Sequence, residues 1–189
     1  RYTGTARAGA TINVNELLGY GDVTSLRLLS SGNGLQYVRG AYQGQLGKTI
    51  AGVSYSDLRY ELGREFESLG AHGSQQMTSL YASYPLVRSR TRNTFVGVNY
   101  DLKRFEDLVD ASSSLTRKHA NVLSTSLRGD AVDTGGSTAY GLTLSAGRID
   151  LKDPALQAID AATAHTQGHF NKLSFNANRT QKFSDTVSI

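Results

Sequence analysis

From Tyr2 to Val14 the chain alternates without a break. Tyr2, Gly4, Ala6, Ala8, Ala10, Ile12 and Val14 fall on one parity, and Thr3, Thr5, Arg7, Gly9, Thr11 and Asn13 on the other. Period-two patterning places each set on its own face of a strand. Globular strands usually run about five or six residues, whereas a tilted bilayer crossing takes roughly ten. The first face is free of charge, and the second is polar and carries an arginine. A wall with lipid on one side and water on the other needs that division.

The rest of the composition narrows the choice. With 39% hydrophobic residues in 189 and no apolar run near the length of a bilayer-spanning helix, a transmembrane helix is excluded. A soluble all-β domain or a membrane β-barrel remains. The ten tyrosines against six phenylalanines suit the band where lipid meets water, as they suit any β-sheet. Absent cysteine excludes disulfides and thiolate metal sites. The net charge of +4 comes from basic residues spaced singly along strands, so no nucleic-acid patch is implied. No signal-peptide pattern opens the sequence. The chain starts inside its first predicted strand and reads as a fragment or a mature internal piece.

Amphipathic segments recur roughly every twenty residues. After the first, strands are predicted near residues 22–30, a third ending near 45, then 49–59, 75–84, 92–103, 120–128, one around 138–147, and 170–180, with the last residues opening a tenth. Ser31-Gly32-Asn33-Gly34 is a tight-turn composition. Pro85 is expected to end the fifth strand because proline cannot donate to a ladder. Residues 154–164 have helical composition within the longest loop. Connections alternate between short (near Gly47, Pro85 and Asp130) and long (near Glu61, Ala111 and Thr163); the seven-residue connection after the first strand breaks the rule a little, and placing the Asn33 turn outside orders every later one. Outer-membrane barrels have short periplasmic turns and longer outer loops.

In this phasing Arg7, Arg27, Arg39, Lys103, Arg128 and Lys172 all sit on the non-lipid face. An arginine on the lipid side at mid-membrane would cost roughly 2–4 kcal/mol, which constrains the phase at those strands. The face opposite the lipid is therefore polar and basic.

Motifs for chemistry are weak. His165 and His169 are four apart, but Gly168 interrupts their helix and only Asp160 offers a distant third ligand. No nucleophile elbow or ordered triad is readable. Glu65, Glu67 and His72 share one charged loop, and loop charges usually just solvate it. The glycine pairs at Gly19 and Gly21 and at Gly32 and Gly34 suit turns better than phosphate cradles. The chain reads as no enzyme, with no nucleotide, metal or other cofactor.

Several stretches resemble a known family. These are Asn13-Val14-Asn15-Glu16-Leu17-Leu18-Gly19-Tyr20-Gly21-Asp22, then Tyr60-Glu61-Leu62-Gly63-Arg64-Glu65-Phe66, and above all Ser83-Tyr84-Pro85-Leu86-Val87-Arg88-Ser89-Arg90. Ser145-Ala146-Gly147-Arg148-Ile149-Asp150-Leu151 and Phe170-Asn171-Lys172-Leu173 add to them. Over nearly its whole length the chain resembles the outer-membrane transporters of two-partner secretion, the haemolysin activation and secretion proteins. That family places two periplasmic domains before a barrel of about sixteen strands. Val38-Arg39-Gly40 spells part of the family's lumen-loop tip, but Ala41 follows it and the site lies in mid-strand.

The resemblance implies an antiparallel transmembrane β-barrel segment of about nine or ten strands, with residues 1–189 a partial barrel domain lacking the periplasmic domains and the C-terminal strands. Open edges in lipid cost several kcal/mol per unpaired backbone group, so such a piece is expected to be unstable alone. It further implies a bacterial outer-membrane pore for a large secreted exoprotein of haemolysin or filamentous-haemagglutinin type. Outer-membrane lipid would lie on one side, and Arg7, Arg27, Arg39, Lys103 and Arg128 would line the lumen. Two other classes fit the same residues: a diffusion porin or autotransporter-type barrel without a dedicated partner, and a soluble β-sandwich binding module. Upstream periplasmic domains would separate the first, and solubility without detergent the second.

Overall fold

Each strand pairs with the next one in sequence, antiparallel, in a single nine-stranded sheet ordered β1 to β9. The computed structural model describes residues 3–4, 6–32 and 34–183. The strands are β1 (Ala8–Asn15), β2 (Val23–Ser30), β3 (Leu35–Leu46), β4 (Thr49–Glu61), β5 (Ala71–Arg88), β6 (Arg92–Val109), β7 (Ser114–Asp133), β8 (Gly136–Leu151) and β9 (Gly168–Gln181). One helix, α1 (Pro154–Ala162), lies between β8 and β9, and short 3₁₀ turns lie between β4 and β5 and between β6 and β7. The expected all-β antiparallel sheet is present, and from the β3–β4 turn onward connections alternate shorter and longer, whereas the first, residues 16–22, is longer than the second, residues 31–34. No described helix is long and apolar enough to cross a membrane.

Neither face of the sheet is a dry core. Ala71, Ala120 and Leu151 are the only buried hydrophobic residues among those described, while Leu144 is 55%, Leu173 67% and Phe175 71% exposed. Cross-strand register puts the large apolar side chains on one face: Ile12 opposite Leu26, Leu80 opposite Tyr100, Tyr100 opposite Leu123, Leu144 opposite Leu173. A contiguous apolar face of this size marks a surface that meets something other than water. On the other face Ser54, Ser56 and Ser79 are buried although small and polar. A curved sheet crowds its concave side and splays its convex side, which makes the polar face the concave one.

Three tyrosines staple the sheet across glycines. Tyr81 crosses its neighbour Gly52 and donates to Gln43 Oε1 on the strand beyond at 3.3 Å. Tyr60 crosses Gly73 and donates to Asp107 at 2.6 Å. Tyr140 crosses Gly129 to reach Thr94 at 2.8 Å. A glycine leaves the pleat open, so an aromatic ring from the adjacent strand can lie over it.

Four expectations are corrected. β1 begins at Ala8 rather than Tyr2, because its ladder starts at Ala8 opposite Ser30 and β2 ends there. At that point the Ser31 amide turns back to the Leu35 carbonyl at 2.9 Å, and Gly4 has left the extended region at φ 100°. Tyr2, Thr5, Asn33 and the expected tenth strand lie outside the described residues. Pro85 does not end β5: it pairs with Phe95, and the register shifts between Pro85 and Val87, so a bulge absorbs the missing donor.

Strand also extends into the predicted long loops, taking most of the one between β6 and β7 and both ends of the one between β4 and β5. β5 and β6 run 18 residues each and β7 runs 20. At about 3.3 Å per residue and a tilt near 40°, eighteen residues rise about 45 Å, well past an apolar band of about 25 Å. The real connections there span residues 62–70 and 110–113. Finally, the helical stretch ends at Ala162 rather than near 164. Asp153 caps its start by accepting from the Ala155 amide at 2.8 Å, with Pro154 in the first turn.

Candidate functional site

The polar face gathers three of the five basic candidates on one cross-strand row. Thr11, Arg27, Arg39, Ser56, Met77, Lys103 and Ala120 are successive partners across β1 to β7. Arg27 and Arg39 stand directly opposite one another, and neither forms an ion pair among the described residues. Like charges directly opposite are unfavourable, and no described carboxylate offsets this pair. Lys103 lies 3.4 Å from Asp101, whose carboxylate also accepts from Ser79 at 2.6 Å and Asn99 at 2.8 Å. Arg128 sits nearer the short turns, its guanidinium 5.8 Å from the Phe95 ring centroid. Arg7 precedes β1 and is exposed, so it does not join the row. Between these groups the face is lined by Ser124 and Ser145, hydrogen-bonded at 2.8 Å, and by Asn99, Gln43 and Gln45. The arrangement offers water, hydroxyls and isolated cations over a long surface.

Towards the long connections this division inverts. On the apolar-bearing face hydrocarbon gives way to charge: Asp57 with Arg59 at 3.0 Å, Glu106 with Arg117 at 3.4 Å, Arg148 with Asp150 at 2.9 Å, and Arg104 and His119 opposite each other. The opposite face carries Leu29, Tyr37, Leu58, Phe105 and Leu151 at the same height. Reading strands by apolar parity alone missed this region, because the parity switches. The signal that finds it is the period itself, which continues through Arg104, Phe105 and Glu106 with its sign reversed.

Several cavities open on that charged and apolar face. One of about 780 Å³ is lined by Ala8, Ala10, Leu28, Val38 and Tyr55, with Asp57 and Arg59 at its rim. Another of about 260 Å³ lies among Ser74, Gln76, Arg104, Glu106, Arg117 and His119.

The connection carrying α1 is knotted by Asp160. Its carboxylate accepts from the Thr166 hydroxyl and amide and from the Gln167 amide at 2.9 Å. The Thr166 hydroxyl bond, the Gln167 amide and the nearby His165 hold this carboxyl below the usual carboxylate range. Both oxygens of the distant metal-ligand candidate are thus already engaged. His165, three residues past α1, has φ 50°, and His169 lies on β9.

No family model matches the chain. Among solved structures, CdiB from Escherichia coli superposes with a TM-score of 0.78 at 17% identity, covering 100% of this chain and 36% of that one. The fold is an outer-membrane β-barrel wall. CdiB from Acinetobacter baumannii aligns with the wall at a TM-score of 0.62 and 15% identity, over 93% of this chain and 31% of its own. By sequence the wall is 25% identical over 185 residues to the heme/hemopexin transporter protein HuxB of Haemophilus influenzae, covering 96% of this chain and 33% of that protein. HuxB of a second strain is 24% identical over the same length. The chain thus spans about a third of the length of these relatives. They bear out the resemblance to two-partner secretion transporters carried by the turns.

Proposed function

We propose that the chain is a stretch of barrel wall in a two-partner secretion transporter, which passes a large exoprotein as an extended chain from periplasm to cell surface. The observation that carries this reading is the likeness, over nearly all of the chain, to HuxB in sequence and to CdiB in fold. In this reading residues 1–189 supply part of a longer barrel, with the periplasmic domains and further strands elsewhere in the protein. The concave polar face lines the channel, with Arg27, Arg39, Lys103 and Arg128 along it and Arg7 ahead of β1. Isolated cations among hydroxyls and amides suit an unfolded polypeptide, since they give its apolar side chains nothing dry to adhere to. The exoprotein is of haemolysin or filamentous-haemagglutinin type, and its folding outside the cell supplies the driving force. No step calls for an enzyme.

The test is to delete the gene in its own bacterium and compare the proteins in the culture medium with and without complementation. Loss and restoration of one large exoprotein is the expected result. Unchanged medium proteins, together with free passage of small solutes through the purified protein, would make it a diffusion porin instead.

A further inference from the structure

On the apolar-bearing face of β5 to β7, hydrocarbon turns to charge within two cross-strand rows. Leu80, Tyr100 and Leu123 form one row, and Thr78, Leu102 and Asn121 the next. Gln76, Arg104 and His119 follow, then Ser74, Glu106 and Arg117. The cavity of about 260 Å³ opens among these last two rows. Its charges do not cancel. Arg117 has Glu106 at 3.4 Å, but Arg104 has no ion-pair partner among the described residues. Asp150 stands opposite His119 on β8 but is held by Arg148 at 2.9 Å, and the Lys152 amide donates to the Arg117 carbonyl at 3.1 Å.

Arginine, imidazole and hydroxyl groups lining one hollow fit a phosphate, whose oxygens accept from several donors at once. The position selects the source of that phosphate. The hollow faces the same way as the apolar rows and begins where they end, so a group seated there would have hydrocarbon directly beneath it. We propose that Arg104, Arg117 and His119 bind the phosphate of an outer-leaflet phosphorylated lipid, whose acyl chains lie over Leu80, Tyr100, Leu102 and Leu123. This rests on the barrel reading above, which turns this face to lipid and its long connections to the cell exterior.

Native mass spectrometry of the full-length transporter in detergent tests it. The titrants are phosphorylated lipid A, the same lipid with its phosphates removed, and inorganic phosphate. The phosphorylated lipid should bind about tenfold more tightly than the dephosphorylated one. The double variant Arg104→Gln, His119→Gln should lose about tenfold of that affinity, while Arg104→Lys keeps most of it. Equal binding of the two lipids overturns the proposal, as does an unaffected double variant. Inorganic phosphate binding as tightly as the lipid makes the hollow a free-phosphate site and also overturns it. Heat-modifiable electrophoretic mobility establishes that each variant is folded, and Arg104→Lys provides the rescue if the double variant is not. Exoprotein export is scored in cells making the same proteins. Export without lipid discrimination sinks the lipid site alone, and lipid discrimination without export sinks the transport reading alone.

Discussion

Tyr81 reaches over Gly52 to Gln43, so that one side chain ties three consecutive strands together. A Cβ on Gly52 would lie 2.6 Å from the Tyr81 hydroxyl oxygen and 2.6 Å from the Tyr42 carbonyl oxygen. The ring would have to leave, and the Tyr42 carbonyl, which is backbone, would still be crowded. Gly52→Val is therefore expected to destabilise the wall by about 1–3 kcal/mol, as overpacking typically does. Tyr81→Phe should cost less, since the ring stays and one long hydrogen bond is lost. The shift in the urea midpoint of heat-modifiable mobility measures both.

The two faces answer oppositely to charge. Leu144→Arg, at a position 55% exposed on the apolar face, should cost roughly 2–4 kcal/mol if it lies near mid-bilayer and should lower the amount assembled in the outer membrane. Ser145→Arg, one residue on and on the polar face, should assemble normally. Equal assembly of the two variants would show that the apolar face does not meet lipid.

Arg27 and Arg39 face each other without a carboxylate between them. Replacing both with glutamine should leave assembly intact and move ion selectivity towards cations, read as a shift of reversal potential across a planar bilayer under a salt gradient. An unchanged potential would place the pair away from the conducting path.

Asp160 predicts a pH response in the outer connection. Its folded-state pKa lies below the unfolded value, so its contribution is present above about pH 4 and is lost as pH falls through the depressed value. Between pH 7 and pH 3, amide exchange of Thr166 and Gln167, after correction for the intrinsic rate, should accelerate while that of β7 stays slow. Asp160→Asn should show the faster exchange already at pH 7.

The part of the fold legible in the sequence is the part where lipid imposes a uniform demand. Leu102, Tyr100 and Val98 share a parity because one solvent sits against all of them, and the strands were found there. Two residues past Leu102 on β6 the surroundings change, Arg104 and Glu106 take the lipid-side parity, and the same periodicity resembled a polar loop. Pro85 shows a different limit: whether a proline ends a strand or sits in a bulge depends on the partner's register, which one strand's residues do not carry. The Arg27–Arg39 pairing was likewise hidden, since each arginine was visible but their shared row depends on the register set by the turn between β2 and β3.

The unbroken order from β1 to β9 bears on how such a wall comes into being. Because every strand finds its mate in the segment made just before it, growth can go hairpin by hairpin, each closure spanning only a short piece of chain and losing little entropy. Nothing has to be threaded past strands already in place. A nascent chain held at a lipid boundary could thus zip itself inward from either end without waiting for the remainder.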